Sequence, residues 1–121
     1  MEWNHEIARA GEDAAVELLR AEGLHILERN YRFGQGEIDV IARDGEVTVF
    51  VEVKTRSNQS YGPPEYAVTR GKQRQIARIA TGWLADRGFP DTPCRFDVIA
   101  VTFERGKPVC NHIENAFTVS P

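Results

Sequence analysis

Apolar positions recur along the chain with two different spacings, and each change of spacing marks a new element. From His5 to Glu22 they lie three and four apart, with Ile7, Ala14, Ala15, Leu18 and Leu19 forming one stripe. Asn4 is a candidate N-cap for that helix and Gly23 is placed to end it. Leu24 to Phe33 (LHILERNYRF) reads as a strand, with Leu24, Ile26 and Tyr31 inward and a bend near Arg29-Asn30. Gly34-Gln35-Gly36 then leads into GEIDVIARDGEVTVFVEVKTR, whose alternation predicts two strands turning at Asp44-Gly45. The polar, turn-rich run from Thr55 to Pro64 predicts a loop long enough to move and to carry function.

Helical spacing returns from Thr69 to Asp86, where Ile76, Ile79, Ala80, Trp83 and Leu84 form the buried stripe and Gly88 follows the end. Arg95 to Thr102 (RFDVIAVT) is the last core strand, and Val109 to Phe117 adds an edge strand after a turn at Arg105-Gly106. A strand, helix and strand of this length form a right-handed crossover, so RFDVIAVT is expected to run parallel to VFVEVK. The expected architecture is an α/β fold of order αβββαβ, with a mixed central sheet flanked by helices.

The hairpin partitions its residues in a way that stability alone does not explain. With Asp44 and Gly45 as the two loop residues, Arg43 faces Glu46, Ile41 faces Thr48, Asp39 faces Phe50, and Glu37 faces Glu52. One face then collects Glu37, Asp39, Ile41, Thr48, Phe50, Glu52 and Lys54. The other collects Ile38, Val40, Ala42, Val47, Val49, Val51 and Val53. Like charges opposite one another on a sheet are destabilising. A hard divalent cation, which takes oxygen ligands, turns that repulsion into coordination. Lys54 projects from the same face, within reach of a scissile phosphate or an attacking water.

The plainer reading is that these acids are the solvated side of the hairpin. Two details oppose it. Phe50 and Ile41 share the face with the charges, and FVEVK is apolar enough to be central, where charges are rare.

An acidic residue on one strand followed by E-x-K on the next resembles the PD-(D/E)XK nuclease superfamily. GEIDVIA followed by VFVEVKTR resembles more closely the YraN-like family, whose members are inferred to be bacterial endonucleases distantly related to archaeal Holliday junction resolvases. The resemblance spans roughly residues 4–117 and implies a restriction-endonuclease-like core, with Asp39, Glu52 and Lys54 on the three motif positions. Ile38 departs from the proline of the superfamily name. The resemblance also implies that Glu12, otherwise a solvated helix acid, is a metal-site residue. Lys72, which the stripe aims toward the sheet, either snorkels past the core edge or contacts a phosphate, and the family pattern has a lysine there.

The sum of these expectations is a Mg²⁺- or Mn²⁺-dependent DNA endonuclease, with branched or structured DNA among its implied substrates. Asp39, Glu52, Lys54 and Glu12 are the catalytic candidates, and Asp39, Glu52, Glu12 and Glu37 the metal ligands. Lys72, Arg56, Arg70 and Arg74 are the candidates for nucleic-acid contact; a solvated loop arginine describes Arg56 equally well. Resolvase-like relatives act as homodimers, which implies the same option here. The alternative is a non-catalytic nucleic-acid-binding or protein-interaction module on the same fold.

Composition changes this picture in one respect. The 121 residues carry a net charge of −3, awkward for a protein that must meet phosphates. The charge is uneven, however: residues 1–28 hold seven acids against two bases, whereas residues 69–87 hold five bases against Asp86. The chain reads as one domain over residues 1–121. No stretch reaches the length of an apolar span and no signal peptide opens the sequence, so a cytoplasmic, non-membrane protein is expected. Cys94 and Cys110 form no CxxC pair, which leaves no sign of a zinc or disulfide framework. His5, His25 and His112 are scattered and read as surface or capping residues. Asp97 reads as structural, pairing with Arg95 or Arg78.

Overall fold

The chain folds in the order α1 (His5–Ala21), β1 (His25–Phe33), β2 (Gly36–Asp44), β3 (Val47–Thr55), α2 (Arg70–Asp86), β4 (Cys94–Glu104) and β5 (Lys107–Phe117). This computed structural model describes residues 5–56 and 68–118. The Asn4 cap and most of the expected loop after Arg56 lie outside them. The five strands form one sheet in the order β1-β2-β3-β4-β5, antiparallel throughout except for β3 and β4. That parallel pair is the expected crossover through α2. The result is an α/β fold, a five-stranded mixed sheet flanked by two helices, consistent with the restriction-endonuclease-like core.

Each helix buries its apolar stripe on a different face of the sheet. α1 packs Ala15, Val16 and Leu19 against Val40, Ala42, Val49, Val51, Ile99 and Val101. α2 packs Ile76, Ile79, Ala80, Trp83 and Leu84 against Ile38, Ile41, Phe50, Phe96 and Val98. An aromatic row runs through the second layer: Trp83 meets Phe50 edge-on at 6.0 Å between ring centres. Phe96 then stacks on Phe50 at 5.8 Å and on Phe117 at 5.2 Å. The helix ends follow local chemistry. The Thr69 hydroxyl caps α2 by accepting from the Lys72 N–H at 3.2 Å, and Gly23 follows α1 at φ +93°.

The hairpin differs from its expected register. Its loop is Gly45-Glu46, so Asp44 pairs with Val47, Arg43 with Thr48 and Ile41 with Phe50. Gly45 has φ +61° in the first loop position, which is where a type II′ turn requires its glycine. Asp44 stays in the strand, where Arg95 Nη1 holds its carboxylate at 3.0 Å.

A second correction bears on function. The β2–β3 ladder ends at Val40↔Val51, so the expected pair of Glu37 and Glu52 does not form. Glu37 instead pairs across the other edge of β2 with Arg32. Val40 and Ala42 face α1 whereas Ile38 joins Ile41 under α2, so the alternation of faces breaks at Asp39. Asn30, the β1 bend, has φ +52° between the Arg29↔Val40 and Tyr31↔Ile38 pairs. β2 and β3 therefore part company at Asp39 and Glu52. No helix among the described residues is long and apolar enough to cross a membrane.

Candidate functional site

The fork between β2 and β3 is bridged by a side chain. Asp39 Oδ2 accepts the Val53 N–H at 2.8 Å, a donor that a continued ladder would have given to a backbone carbonyl. This bond draws the Asp39 carboxyl to Glu52, within hydrogen-bonding reach. Burial, then the hydrogen bond and charge of Glu52, push the Asp39 carboxyl up to about 8. Asp39 is thus held protonated near neutrality and can donate to the Glu52 carboxylate.

Glu52 is itself buried, 7% exposed, on a central strand. Among the described residues its Oε2 has no hydrogen-bond partner. Lys72 Nζ stands 3.7 Å from it, close enough to pair in charge but too far for a hydrogen bond. Lys72 comes from the first turn of α2 and points at the sheet, as the stripe implied. Lys54 lies two residues beyond Glu52 on β3, partly exposed.

Glu12 and Glu37 approach from the α1 side. Asn30 Nδ2 donates to Glu12 Oε1 at 2.6 Å and to Glu37 Oε1 at 3.0 Å, tying the two acids together. Burial raises the Glu12 pKa; the Asn30 bond opposes that shift and the Asp39 charge adds to it. Glu12 reaches this position because Gly11 lets α1 sit directly on β3. A Cβ at Gly11 would lie 2.0 Å from Thr55 Oγ1.

Two hollows with shared walls lie at the fork. The smaller, about 170 Å³, is lined by Ala8, Glu12, Asp39, Glu52, Val53 and Thr55. The larger, about 560 Å³, shares Ala8, Glu12 and Asp39 with it and opens between α1 and β1.

The structure thus brings Asp39 and Glu52 together, with Glu12 beside them and Glu37 reached through Asn30. Arg70 and Arg74 stand exposed on α2 and line neither hollow, while Arg56 follows β3 partly buried. Asn30 carries a role that the sequence reading missed. Its signal was the bend, because asparagine tolerates positive φ.

His112 corrects the surface reading made of it. Its side chain is 6% exposed, with Nδ1 2.7 Å from Glu22 Oε1 and Nε2 2.7 Å from Asp97 Oδ2. Burial alone would lower its pKa, but the bonds to Asp97 and Glu22 outweigh burial and raise it. Asp97 is fully buried and structural as expected, accepting from Arg95 and from the Asn115 N–H. Burial works against its charge, yet His112, Arg95 and Asn115 together hold its carboxyl below the usual range. Glu22, His112 and Glu114 bring ligand atoms within 4.8 Å of one another. Glu22 Oε1 and Asp97 Oδ2 already engage the two imidazole nitrogens, so hydrogen bonding accounts for this cluster.

Comparison with known proteins supplies a family. A UPF0102 protein of Geobacter metallireducens is 50% identical over 117 residues, covering 97% of this chain and 96% of that protein. A UPF0102 protein of Symbiobacterium thermophilum is 51% identical over 115 residues, covering 94% and 98%. A solved structure of Pyrococcus furiosus SfsA in complex with Ca²⁺ covers 88% of this chain and 63% of its own, at 15% identity and a TM-score of 0.41. That likeness is too low to carry an argument. The family model described as "Uncharacterised protein family UPF0102" matches residues 11–101, and the chain belongs to that family.

Proposed function

We propose that this protein is a divalent-metal-dependent endonuclease that hydrolyses DNA phosphodiester bonds at the fork between β2 and β3. The observation that carries the reading is Glu52 Oε2, a buried carboxylate oxygen without a hydrogen-bond partner among the described residues, beside a second carboxyl. Leaving such a group unsatisfied costs about 1–3 kcal/mol, and more when it is charged. An all-oxygen donor set of this kind suits a hard cation, Mg²⁺ or Mn²⁺. Asp39 and Glu52 would hold the ion, with Glu12 and Glu37 completing the set directly or through water. When bound, such an ion supplies an acidified water and charge to offset the transition state.

The remaining roles belong to the chain itself. Lys54 offers its ammonium to the phosphate, or as a base takes the proton of the attacking water. Asn30 holds Glu12 turned into the cleft. Lys72 balances Glu52 until a substrate or ion competes for that carboxylate. Release of Lys72 from that pair leaves it able to meet a second phosphate. Branched DNA as the substrate, and a homodimer as the working form, rest on the resemblance to resolvase-like nucleases. A DNA substrate puts the activity in the cytoplasm.

The net charge of −3 favours the second reading, a non-catalytic binding or interaction module on this fold. One experiment separates the two. The purified protein is incubated with linear, nicked and four-way-junction DNA in chelator, then with Mg²⁺ or Mn²⁺, with Lys54→Ala as a control for contaminating nuclease. Ion-dependent cleavage that Lys54→Ala lacks is expected. Cleavage equal in both proteins, or none on any substrate with either ion, overturns the assignment.

A further inference from the structure

We infer that the outer face of α2 docks the phosphate backbone of nucleic acid on Arg70, Arg74 and Arg78, apart from the fork. The identity of the partner rests on the nuclease reading, but the placement of the cations does not. Residues 69–87 carry five bases. Lys72 reaches inward to Glu52, and Arg87 is held by Glu28 and Asp86. The three that remain, Arg70, Arg74 and Arg78, are exposed, and among the described residues no acid pairs with them. Arg20, Arg29, Arg32 and Arg95, by contrast, each stand beside a carboxylate.

Their spacing of four residues places them on one row of the helix, each step rising about 6 Å and turning about 40°. The row runs along the side away from Ile76, Ile79 and Trp83, which face the sheet. Lys72, two residues from Arg70 and from Arg74, leaves the helix on nearly the opposite side. Stability does not account for this row. Like charges four residues apart on a helix repel. No acid occupies the first turn, where the helix dipole favours one and disfavours a cation. A merely solvated face would interleave opposite charges, and the chain has 18 acids against 15 bases to draw on.

Arginines clustered along one face of a helix are the electrostatic footprint of a nucleic-acid contact. In a protein of net charge −3 they localise the attraction to this face. The face is convex and lines neither hollow, which suits an extended chain of phosphates over a single small anion. A helix with its side chains is about 10–12 Å across, so phosphates on the row are distinct from the one at Glu52. The row therefore secures a flanking part of the substrate and lends affinity, with no share in the chemical step.

The test is fluorescence anisotropy with a labelled duplex of about 20 base pairs, and with its single strand, in chelator across a salt series. The triple variant Arg70→Ala, Arg74→Ala, Arg78→Ala should lose about 2.7 from the slope of log affinity on log salt with the duplex, or about 2.1 with the single strand. From about 50 to 200 mM salt the wild type should thus lose roughly 20- to 40-fold more affinity than the variant. Arg20→Ala, which removes one exposed charge from α1, should leave the slope unchanged. The triple variant should also melt no lower than wild type at low salt, since alanine relieves the repulsion. Where cleavage is measured, it should need more protein for half-maximal rate yet reach the wild-type single-turnover rate at saturation. A wild-type slope in the triple variant, a markedly lower melting temperature, or a lower saturated rate with unchanged affinity overturns the inference. Poly-L-glutamate bound as tightly as DNA at equal charge, through the same arginines, gives the face to an acidic protein and overturns it too. Ion-dependent cleavage with a wild-type slope in the triple variant removes this inference and leaves the nuclease reading standing. A slope that depends on the three arginines, in a protein that cleaves no DNA, does the reverse.

Discussion

Replacing Asp39 with asparagine should make the metal-free protein more stable, and the gain should grow with pH. In the unfolded chain the carboxyl titrates at an ordinary 3.8, whereas in the fork it is raised to about 8. The folded protein therefore retains a proton that the unfolded chain has lost, so stability falls as pH rises between those values. At pH 7 the two states differ over about three pH units at roughly 1.4 kcal/mol each, an upper bound near 4 kcal/mol. Relaxation of the Asp39–Glu52 pair on ionisation reduces this, and a net effect on the order of 2–3 kcal/mol is the working figure. Asparagine has the shape of the protonated carboxyl. Its oxygen can accept the Val53 N–H and its amide can donate to Glu52.

The assay is urea unfolding of both proteins in chelator at several values between about pH 4.5 and 8.5. The curves should nearly coincide at the acid end and separate steadily toward pH 8, with a difference in unfolding free energy near neutrality on the order of 2–3 kcal/mol. A gap that stays constant with pH, or a variant less stable than wild type at pH 8, would refute the account of the fork. The same pair of proteins tests the ion. Mg²⁺ or Mn²⁺ at 100 times its dissociation constant should add about 2.7 kcal/mol to the wild type and little to Asp39→Asn.

Lys54→Ala should abolish single-turnover cleavage while leaving ion-induced stabilisation unchanged, because its ammonium serves the phosphate and not the ion; loss of the stabilisation would contradict that role. Gly11→Ala forces a methyl into Thr55 and should destabilise the protein by about 1–3 kcal/mol. Adding Thr55→Gly removes the clashing atoms and should restore much of the ion-induced stabilisation as well as the fold. Persistent loss in the double variant would mean that the close approach of α1 is not what sets Glu12. His112→Ala should destabilise by about 1–3 kcal/mol, since Asp97 keeps Arg95 and the Asn115 N–H but loses a charged partner. The pKa of His112 is raised on folding, so its contribution is complete below about pH 6.5 and fades as pH rises through the folded value. Equal destabilisation at acid and alkaline pH would argue against an imidazolium there.

Much of this was legible in the sequence for a physical reason. Helical stripes such as Ile76, Ile79, Ala80, Trp83 and Leu84 repeat at a spacing that only one backbone satisfies, and all five are buried. The parallel placement of β4 followed from the length of the crossover. Asp39 and Glu52 were legible as neighbours because charges in an apolar central strand lack a bland explanation. The details that failed depend on contacts far apart in sequence. Asp44 remains in β2 because Arg95, fifty-one residues later, holds it. His112 is buried because Glu22 and Asp97 converge on it from α1's end and β4. Ile38 changed faces because the ladder ended, which alternation along one strand cannot reveal.

The turn at Gly45-Glu46 stands at the far end of the hairpin from the fork, with five ladder pairs, Asp44↔Val47 to Val40↔Val51, between them. That paired stretch insulates the carboxylates from events at the turn. Residues added between Gly45 and Glu46, a tag or a fluorophore handle, would leave the spacing of Asp39 and Glu52 as it is. One residue removed between Val40 and Ala42 would instead send every later side chain of β2 to the opposite face. A few codons thus separate a permissive address in the gene from an unforgiving one.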